Sequence, residues 1–269
     1  MILIFSYYPV LRSMVGAFTN WNGFGAPIFN GLANFLSLLH DAVFLQALLH
    51  VGLWVVVAIP LAIIPSFLVA ELVFNLRSHI ARHVYRIAFV VPMVLPAVVP
   101  ILIWEFGIYA PGGILDRVLG VSTEWLLSVH TALWAMILMG FPWVSPFNFL
   151  ILLAALQNVE PSLFDAAYVD GASRWQRIVR VDVPLVLGQV KLLTVLAVLG
   201  SAQNLLVPLL LTGGGPLNGT MTPILYMYQS AFVADQYGYA MAISFVMFLI
   251  IMVLTLVNLR FFNPPASET

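Results

Sequence analysis

Two uninterrupted apolar runs, VGLWVVVAIPLAIIPSFLVA at 51–70 and YAMAISFVMFLIIMVLTLVNL at 239–259, set the first limit on what this chain can fold into. About twenty consecutive apolar residues make a helix long enough to cross the hydrocarbon of a bilayer, where every backbone N–H and C=O must be satisfied within the segment. A membrane β-barrel would instead show segments of roughly ten residues alternating apolar and polar side chains. Charged residues make up 8% of the sequence, against about 25% in soluble domains, so the chain cannot clothe a water-facing surface. The expected class is an all-α polytopic membrane protein. A net charge of −1 leaves no basic excess for phosphate backbones, and no nucleic-acid partner is expected. The absence of cysteine excludes disulfides, thiol nucleophiles and Cys-based metal sites.

Six stretches meet the length requirement: about 2–19, 42–73, 85–108, 126–156, 185–211 and 237–261. The first starts at Met1 with no polar flank and contains Arg12. It lacks the basic start and small-residue cleavage site of a signal peptide, so a spanning helix missing part of its usual beginning is expected. Orientation follows from Lys and Arg, which collect in short cytoplasmic loops. With both termini cytoplasmic, seven of the ten basic residues fall inside: Arg77, Arg82 and Arg86, then Arg174, Arg177 and Arg180, then Arg260. The outer loops, near 20–41, 109–125 and 212–236, hold Arg117 alone. They are rich in Gly, Asn and Pro, which suit turns. Gly213, Gly214 and Gly215 predict a flexible outer loop at 211–223, placed to meet a partner protein or to cap a solute. The final NPPASET reads as a short polar tail.

One polar island interrupts the apolar pattern. Residues 165–184, DAAYVDGASRWQRIVRVDVP, carry six of the chain's twenty-one charged residues. Phe164, Tyr168, Ala172, Trp175 and Val179 recur at helical spacing, which predicts one apolar face, with Asp170, Ser173, Arg174 and Arg177 mostly off it. Gly171 interrupts that helix and permits a bend or a close backbone approach. Such a helix suits a lipid-headgroup surface, through Trp175 and the arginines, or a protein cleft; the periodicity supports both.

The island also resembles the EAA loop of bacterial ABC-importer permeases, whose pattern runs Glu-Ala-Ala, Asp-Gly-Ala, a hydrophobic position, and a proline at the twentieth place. Here Asp165, Ala166 and Ala167 open it, with Asp for the usual Glu, and Asp170, Gly171 and Ala172 sit at the expected offsets. Trp175, Val181, Val183 and Pro184 complete it. LTGGGPLNGT at 211–220 and YYPVLRSMVGAFTNWNGFG at 7–25 look like the carbohydrate-uptake branch, which serves maltose-like oligosaccharides, other sugars and glycerol phosphate. The resemblance implies a single transmembrane permease domain over 1–269, with six transmembrane helices and a cytoplasmic coupling helix, within 157–184, between the fourth and fifth. Asp165, Ala166, Ala167, Tyr168, Asp170, Gly171, Ala172 and Trp175 would then dock on an ATP-hydrolysing subunit. It implies a bacterial or archaeal cytoplasmic (inner) membrane. It also implies a second permease, homologous but not identical, two ATP-binding subunits and an extracytoplasmic solute-binding protein. The chain itself has no G-x-x-x-x-G-K-[ST] phosphate cradle, so no cofactor is expected on it, and ATP with Mg belongs to the partner.

For the solute, uncharged amides and aromatic faces suit sugar hydroxyls and CH surfaces. Gln203 and Asn204 in the fifth run are candidates for a translocation path, as are Asn148, Trp104 and Tyr109. Interhelical hydrogen bonds or interfacial anchoring are the alternatives for these residues. Pro92, Pro96 and Pro100, four apart, predict a kinked third span with one proline face, either a path wall or a packing feature. Two other functions fit the sequence less well. Ion- or proton-coupled transport usually needs intramembrane carboxylates or histidines, yet Glu71, Glu105 and Asp116 fall near span ends. For an intramembrane enzyme there is no H-E-x-x-H or G-x-S-x-G; His79 and His83, four apart, could share a helix face and bind a metal, but the basic loop around them favours a solvated cytoplasmic turn.

Overall fold

The computed structural model describes residues 1 and 3–261; the polar tail expected from 263 onward lies outside them. The chain is mostly helical. The strands among the described residues are one short antiparallel pair, Thr19–Asn20 with Ile28–Phe29, in which Thr19 faces Phe29. Two helices are continuous, apolar and long enough to span a membrane, Ala42–Phe74 and Tyr237–Asn258. Three more reach spanning length only as bent pairs: His79–Val94 with Val98–Ile108 at 89°, Pro146–Gln157 with Pro161–Val169 at 72°, and Arg174–Leu185 with Leu187–Ala202 at 68°. Two spans are therefore clear, and up to five if each bent pair is one. The first expected span is a short helix, Leu3–Tyr7 continued by Tyr8–Gly16, less than the ~20 residues a crossing needs.

The breaks have local causes. In the third run Pro92 and Pro96 lack donors, and Leu95 is extended (φ −70°, ψ 131°), the conformation imposed on a residue that precedes proline. The helix stops at Val94 and restarts at Val98 after the 89° bend, so Pro92, Pro96 and Pro100 do not line the single helix face expected of them. This run also begins earlier than expected. Ser78 Oγ accepts from the Ala81 N–H and caps a helix starting at His79, which puts His79 and His83 on a helix rather than in a turn.

The chain forms two compact units, each assembled from separated stretches. One comprises 1–56, 101–138 and 199–257. Its core joins Ala17, Leu38, Phe44, Ala202, Ile243 and Met247. Asn34 ties down the strand pair by donating to the carbonyls of Ala17 and Thr19, both at 2.9 Å. Gly238 approaches that strand so closely that a Cβ would lie 2.0 Å from the Thr19 oxygen. Asp41 caps the 42–74 helix: one oxygen accepts from the N–H groups of Val43 and Phe44 at 2.9 and 3.2 Å. The 211–223 loop is not the flexible segment expected. The hydroxyls of Thr212 and Thr220 meet at 2.6 Å, Thr220 donates to the Gly215 carbonyl at 2.8 Å, and Thr220, Met221 and Thr222 are buried. Gly213 and Gly214 (φ 62° and 90°) supply left-handed turns there instead of mobility.

The other unit comprises 57–100, 139–198 and 258–261 of the described residues. Phe67, Val73, Phe149, Leu152, Leu156 and Leu193 form its core. Helices in hydrocarbon gain little by hiding apolar surface from lipid, so close packing and interhelical hydrogen bonds hold them. Such bonds are present. Ser66 Oγ accepts from the Ser145 N–H at 3.0 Å, and the Arg86 guanidinium donates to Gln157 Oε1 at 2.9 Å. Exposed Val56, Leu72, Val253 and Leu256 lie on the two continuous span helices, where lipid would meet them.

Candidate functional site

The polar island folds as helix, left-handed turn and helix, not as one continuous helix. Pro161–Val169 ends in a Schellman motif, with the Gly171 N–H donating to the Tyr168 carbonyl and the Ala172 N–H to the Ala167 carbonyl, both at 3.0 Å. Gly171 has φ +72°, a conformation that L side chains rarely adopt. Ser173 then opens Arg174–Arg177 with a capping box. Its Oγ accepts from the Gln176 N–H at 3.3 Å, while its own N–H donates to Gln176 Oε1 at 2.8 Å. The five residues expected on one face are split: Phe164 and Tyr168 precede the turn, Ala172 lies in it, and Trp175 and Val179 follow. The Ser-x-x-Gln spacing was the sequence signal for that second start. The first island helix bends 72° from Pro146–Gln157, and Arg174–Leu185 bends 68° from Leu187–Ala202, so neither prolongs the helix beside it.

Arg177, expected on the charged side, is 4% exposed and organises the island from beneath. It donates through Nη2 to Glu71 Oε1 and Asn75 Oδ1, both at 2.8 Å, and through Nε to Asp182 Oδ2 at 3.2 Å. Its Nη1 donates to the Tyr168 hydroxyl at 3.2 Å. The rings of Phe164 and Tyr168 lie 5.4 and 5.8 Å from the guanidinium carbon, within cation–π range. One guanidinium thus joins both island helices to the end of the 42–74 helix. Two carboxylates share it, and Glu71 Oε2 and Asp182 Oδ1 remain buried without a hydrogen-bond partner. Sequence reading missed this cluster. Its only trace was an acidic residue at the end of an apolar run, and Glu71 lies 106 positions from Arg177. The other side of the island is open. Tyr168, Val169 and Trp175 are 60%, 87% and 67% exposed. Asp165, Ala166, Asp170 and Gly171 are exposed beside them, and Ala167 and Ala172 are half-buried. Tyr and Trp are among the side chains enriched as anchors of protein interfaces.

The expected path residues do not converge. Gln203 lines a cavity of about 590 Å³ with Ala202, Met227, Ser244, Phe248 and Thr255, and the other four candidates do not line it. Asn204 Oδ1 accepts from the Val207 N–H at 3.1 Å, at the start of helix Leu206–Leu211. Asn148 is buried and donates to the Ala62 carbonyl at 3.0 Å, an interhelical bond. Trp104 and Tyr109 pack ring to ring at 5.2 Å, and the buried Tyr109 hydroxyl donates to the Ala135 carbonyl at 2.8 Å. Among the described residues no three His, Cys, Asp or Glu side chains are grouped to hold a metal ion.

Over residues 58–264 the sequence matches the family described as binding-protein-dependent transport system inner membrane component. The lactose transport system permease protein LacF of Rhizobium radiobacter is 28% identical over 265 residues, covering 95% of this chain and 88% of the relative. Among solved structures, a bacterial ABC transporter involved in the import of the acidic polysaccharide alginate aligns with a TM-score of 0.82 at 20% identity, over 97% of this chain and 90% of that one. A bacterial alginate ABC transporter in complex with alginate pentasaccharide-bound periplasmic protein gives 0.76 at 20% identity, over 96% and 88%. At that identity the likeness establishes the fold.

Proposed function

Since this chain belongs to the family of binding-protein-dependent transport system inner membrane components and is a permease subunit of an ABC importer, we propose that its island docks on a separate ATP-hydrolysing subunit while its helices form part of a sugar path. The observation that carries this reading is the island's geometry. Its two helices turn 72° and 68° away from their neighbours, expose Tyr168, Val169 and Trp175, and are held from beneath by Arg177. A surface fixed in this way passes a push from a docked partner to the 42–74 helix without absorbing it. ATP drives transport only through a difference in its binding energy between inward- and outward-facing states, and docking makes the two equilibria interdependent.

In this reading the chain acts as one permease domain over 1–269, since each compact unit is built from interleaved stretches. It crosses the bacterial inner membrane six times with both termini cytoplasmic, the short 3–16 helix and the broken runs being counted as crossings, and the island lies between the fourth and fifth. It pairs with a second, homologous permease, two ATP-binding subunits that hold ATP and Mg, and an extracytoplasmic binding protein. The lactose relative and the binding-protein complex of the alginate importer support the sugar cargo and the delivering partner. Gln203, on the 590 Å³ cavity, is the path residue with the best support.

Because the chain contains no cysteine, Trp175→Cys and Leu217→Cys each provide a single probe. In sealed vesicles the Trp175→Cys thiol should crosslink to the ATP-binding subunit and resist an impermeant maleimide added outside. The Leu217→Cys thiol, at a position 86% exposed in the outer loop, should react with that reagent. Outside labelling of Trp175→Cys would refute the docking face. Uptake that survives ATP depletion with ion gradients intact would point to ion-coupled transport instead.

A further inference from the structure

A second cavity, of about 420 Å³, opens within the unit formed by 1–56, 101–138 and 199–257. Its volume lies in the range of small-molecule sites, and its lining is polar. The strand Thr19–Asn20 and the residue after it bring Asn20 and Trp21 to it, helix Ala33–His40 brings Ser37 and Asn34, the latter already donating to the Ala17 and Thr19 carbonyls, and Asp41 follows at the start of the long helix. Tyr226, Gln236 and Tyr239 face them from the last third of the chain.

Hydrogen-bond accounting on this lining defines what it accepts. Asp41 is fully engaged, since Oδ1 accepts from two backbone N–H groups and Oδ2 accepts from the hydroxyls of Tyr226 at 2.6 Å and Tyr239 at 2.5 Å. Both tyrosines have given up their hydrogens, so each presents only an acceptor. Among the described residues the side chains of Asn20, Ser37 and Gln236 have no hydrogen-bond partner, which leaves two amides and a hydroxyl with donors and acceptors to offer. Trp21 and the tyrosines add aromatic surface. A ligand that satisfies this lining carries many hydroxyls on a CH framework. No Lys, Arg or His lines this cavity, and none lines the cavity that holds Gln203. An anion would gain no counter-charge there, and a metal ion would find the carboxylate's lone pairs taken.

We infer that the polar cavity is an outer-mouth subsite for one ring of a neutral saccharide, and that this transporter discriminates against uronate-bearing sugars. The inference rests on the sugar-importer reading and narrows it. The alginate importer is described as handling an acidic polysaccharide; neither this polar cavity nor the one lined by Gln203 holds the positive charge that such a cargo calls for.

The test uses the transporter assembled with its partner subunits in proteoliposomes, with ATP supplied to the ATP-binding subunits and binding protein on the outer face. Radiolabelled lactose, maltotriose and trimannuronate are the probes. A neutral probe should enter and trimannuronate should neither enter nor compete. Asn20→Ala and Gln236→Ala should each raise the KM for uptake about three- to tenfold, as expected for one neutral hydrogen bond. Both residues are exposed, so truncation leaves the core intact. An unchanged KM in both variants overturns the subsite, and uptake of trimannuronate by the wild type overturns the preference for neutral sugars. Failure of the wild type to take up any of the three probes counts instead against the sugar reading on which the inference rests.

Discussion

Replacing Arg177 by methionine keeps the apolar stem but removes the guanidinium that joins the island to the 42–74 helix. The variant loses bonds to Glu71, Asn75, Asp182 and Tyr168, all between 2.8 and 3.2 Å. It also leaves Glu71 and Asp182, 2% and 0% exposed, with no counter-charge. Removing one partner of a buried ion pair costs about 3–5 kcal/mol, mostly because the other charge stays behind. For a chain of this size each kcal/mol shifts the melting temperature by roughly 2–4 °C, so Arg177→Met should melt about 6–20 °C below wild type. Adding Glu71→Gln and Asp182→Asn to Arg177→Met should restore most of that loss, because a neutral replacement of a whole buried cluster is often without cost. The assay is thermal unfolding of the purified assembly, followed by size-exclusion fluorescence, beside ATP hydrolysed per solute transported. Arg177→Met should hydrolyse ATP with little uptake, since the island no longer moves with the helix it contacts. A melting temperature equal to wild type would refute the burial of the pair. A triple variant less stable than Arg177→Met alone would refute the charge-based account.

Three further outcomes are expected. Gly171 holds φ +72° in open space, so Gly171→Val should cost about 1–2 kcal/mol through the backbone alone and impair uptake, whereas Gly171→Asn should retain it; equal loss in both would point to a side-chain clash with the partner. Trp175→Ala should leave melting unchanged because the ring is 67% exposed, yet weaken binding of the ATP-binding subunit by about 2 kcal/mol, roughly thirtyfold, if the ring is an interface anchor; normal affinity by pull-down would remove it from the docking face. Asp116, on the short helix Ile114–Leu119, is held below the usual carboxylate range by the Gly112 N–H and the Trp125 indole N–H, which outweigh burial, with the Thr123 N–H assisting. A carboxyl with a lowered folded-state pKa contributes stability that is complete above its unfolded value near 3.9 and is lost as pH falls through the folded value. Wild type should therefore lose melting temperature below about pH 4 more steeply than Asp116→Asn, and parallel pH profiles would contradict this.

Local features were legible in the sequence where local physics decides them. The continuous apolar residues of 42–74 and 237–258 form the two long helices expected, because no run of extended backbone interrupts them. The bend at Gly171 was legible for the same reason, and Ser173 with Gln176 could have marked the restart after it. The third run was expected to kink, but its 89° break was not foreseen; it needed Pro96 to act on Leu95 while Pro92 had already removed a donor. The flexible loop expected from three glycines is ordered because Thr212 and Thr220 close it with their hydroxyls, a pairing that glycine content does not reveal.

By itself the sequence determined that this chain lies in a membrane, where its two continuous spans fall, and which family the chain belongs to, because hydrophobicity and motif spacing are properties of neighbouring residues. Only the tertiary structure decided that Arg177 is buried against Glu71 and Asp182, that Asn148 turns its amide to the Ala62 carbonyl, and that Asp41 holds two tyrosines at a polar cavity. Arg177 and Glu71 are 106 residues apart, and Asp41 and Tyr239 are 198 apart. Whether a polar side chain meets water, lipid or a distant partner depends on what packs over it, which no local pattern records.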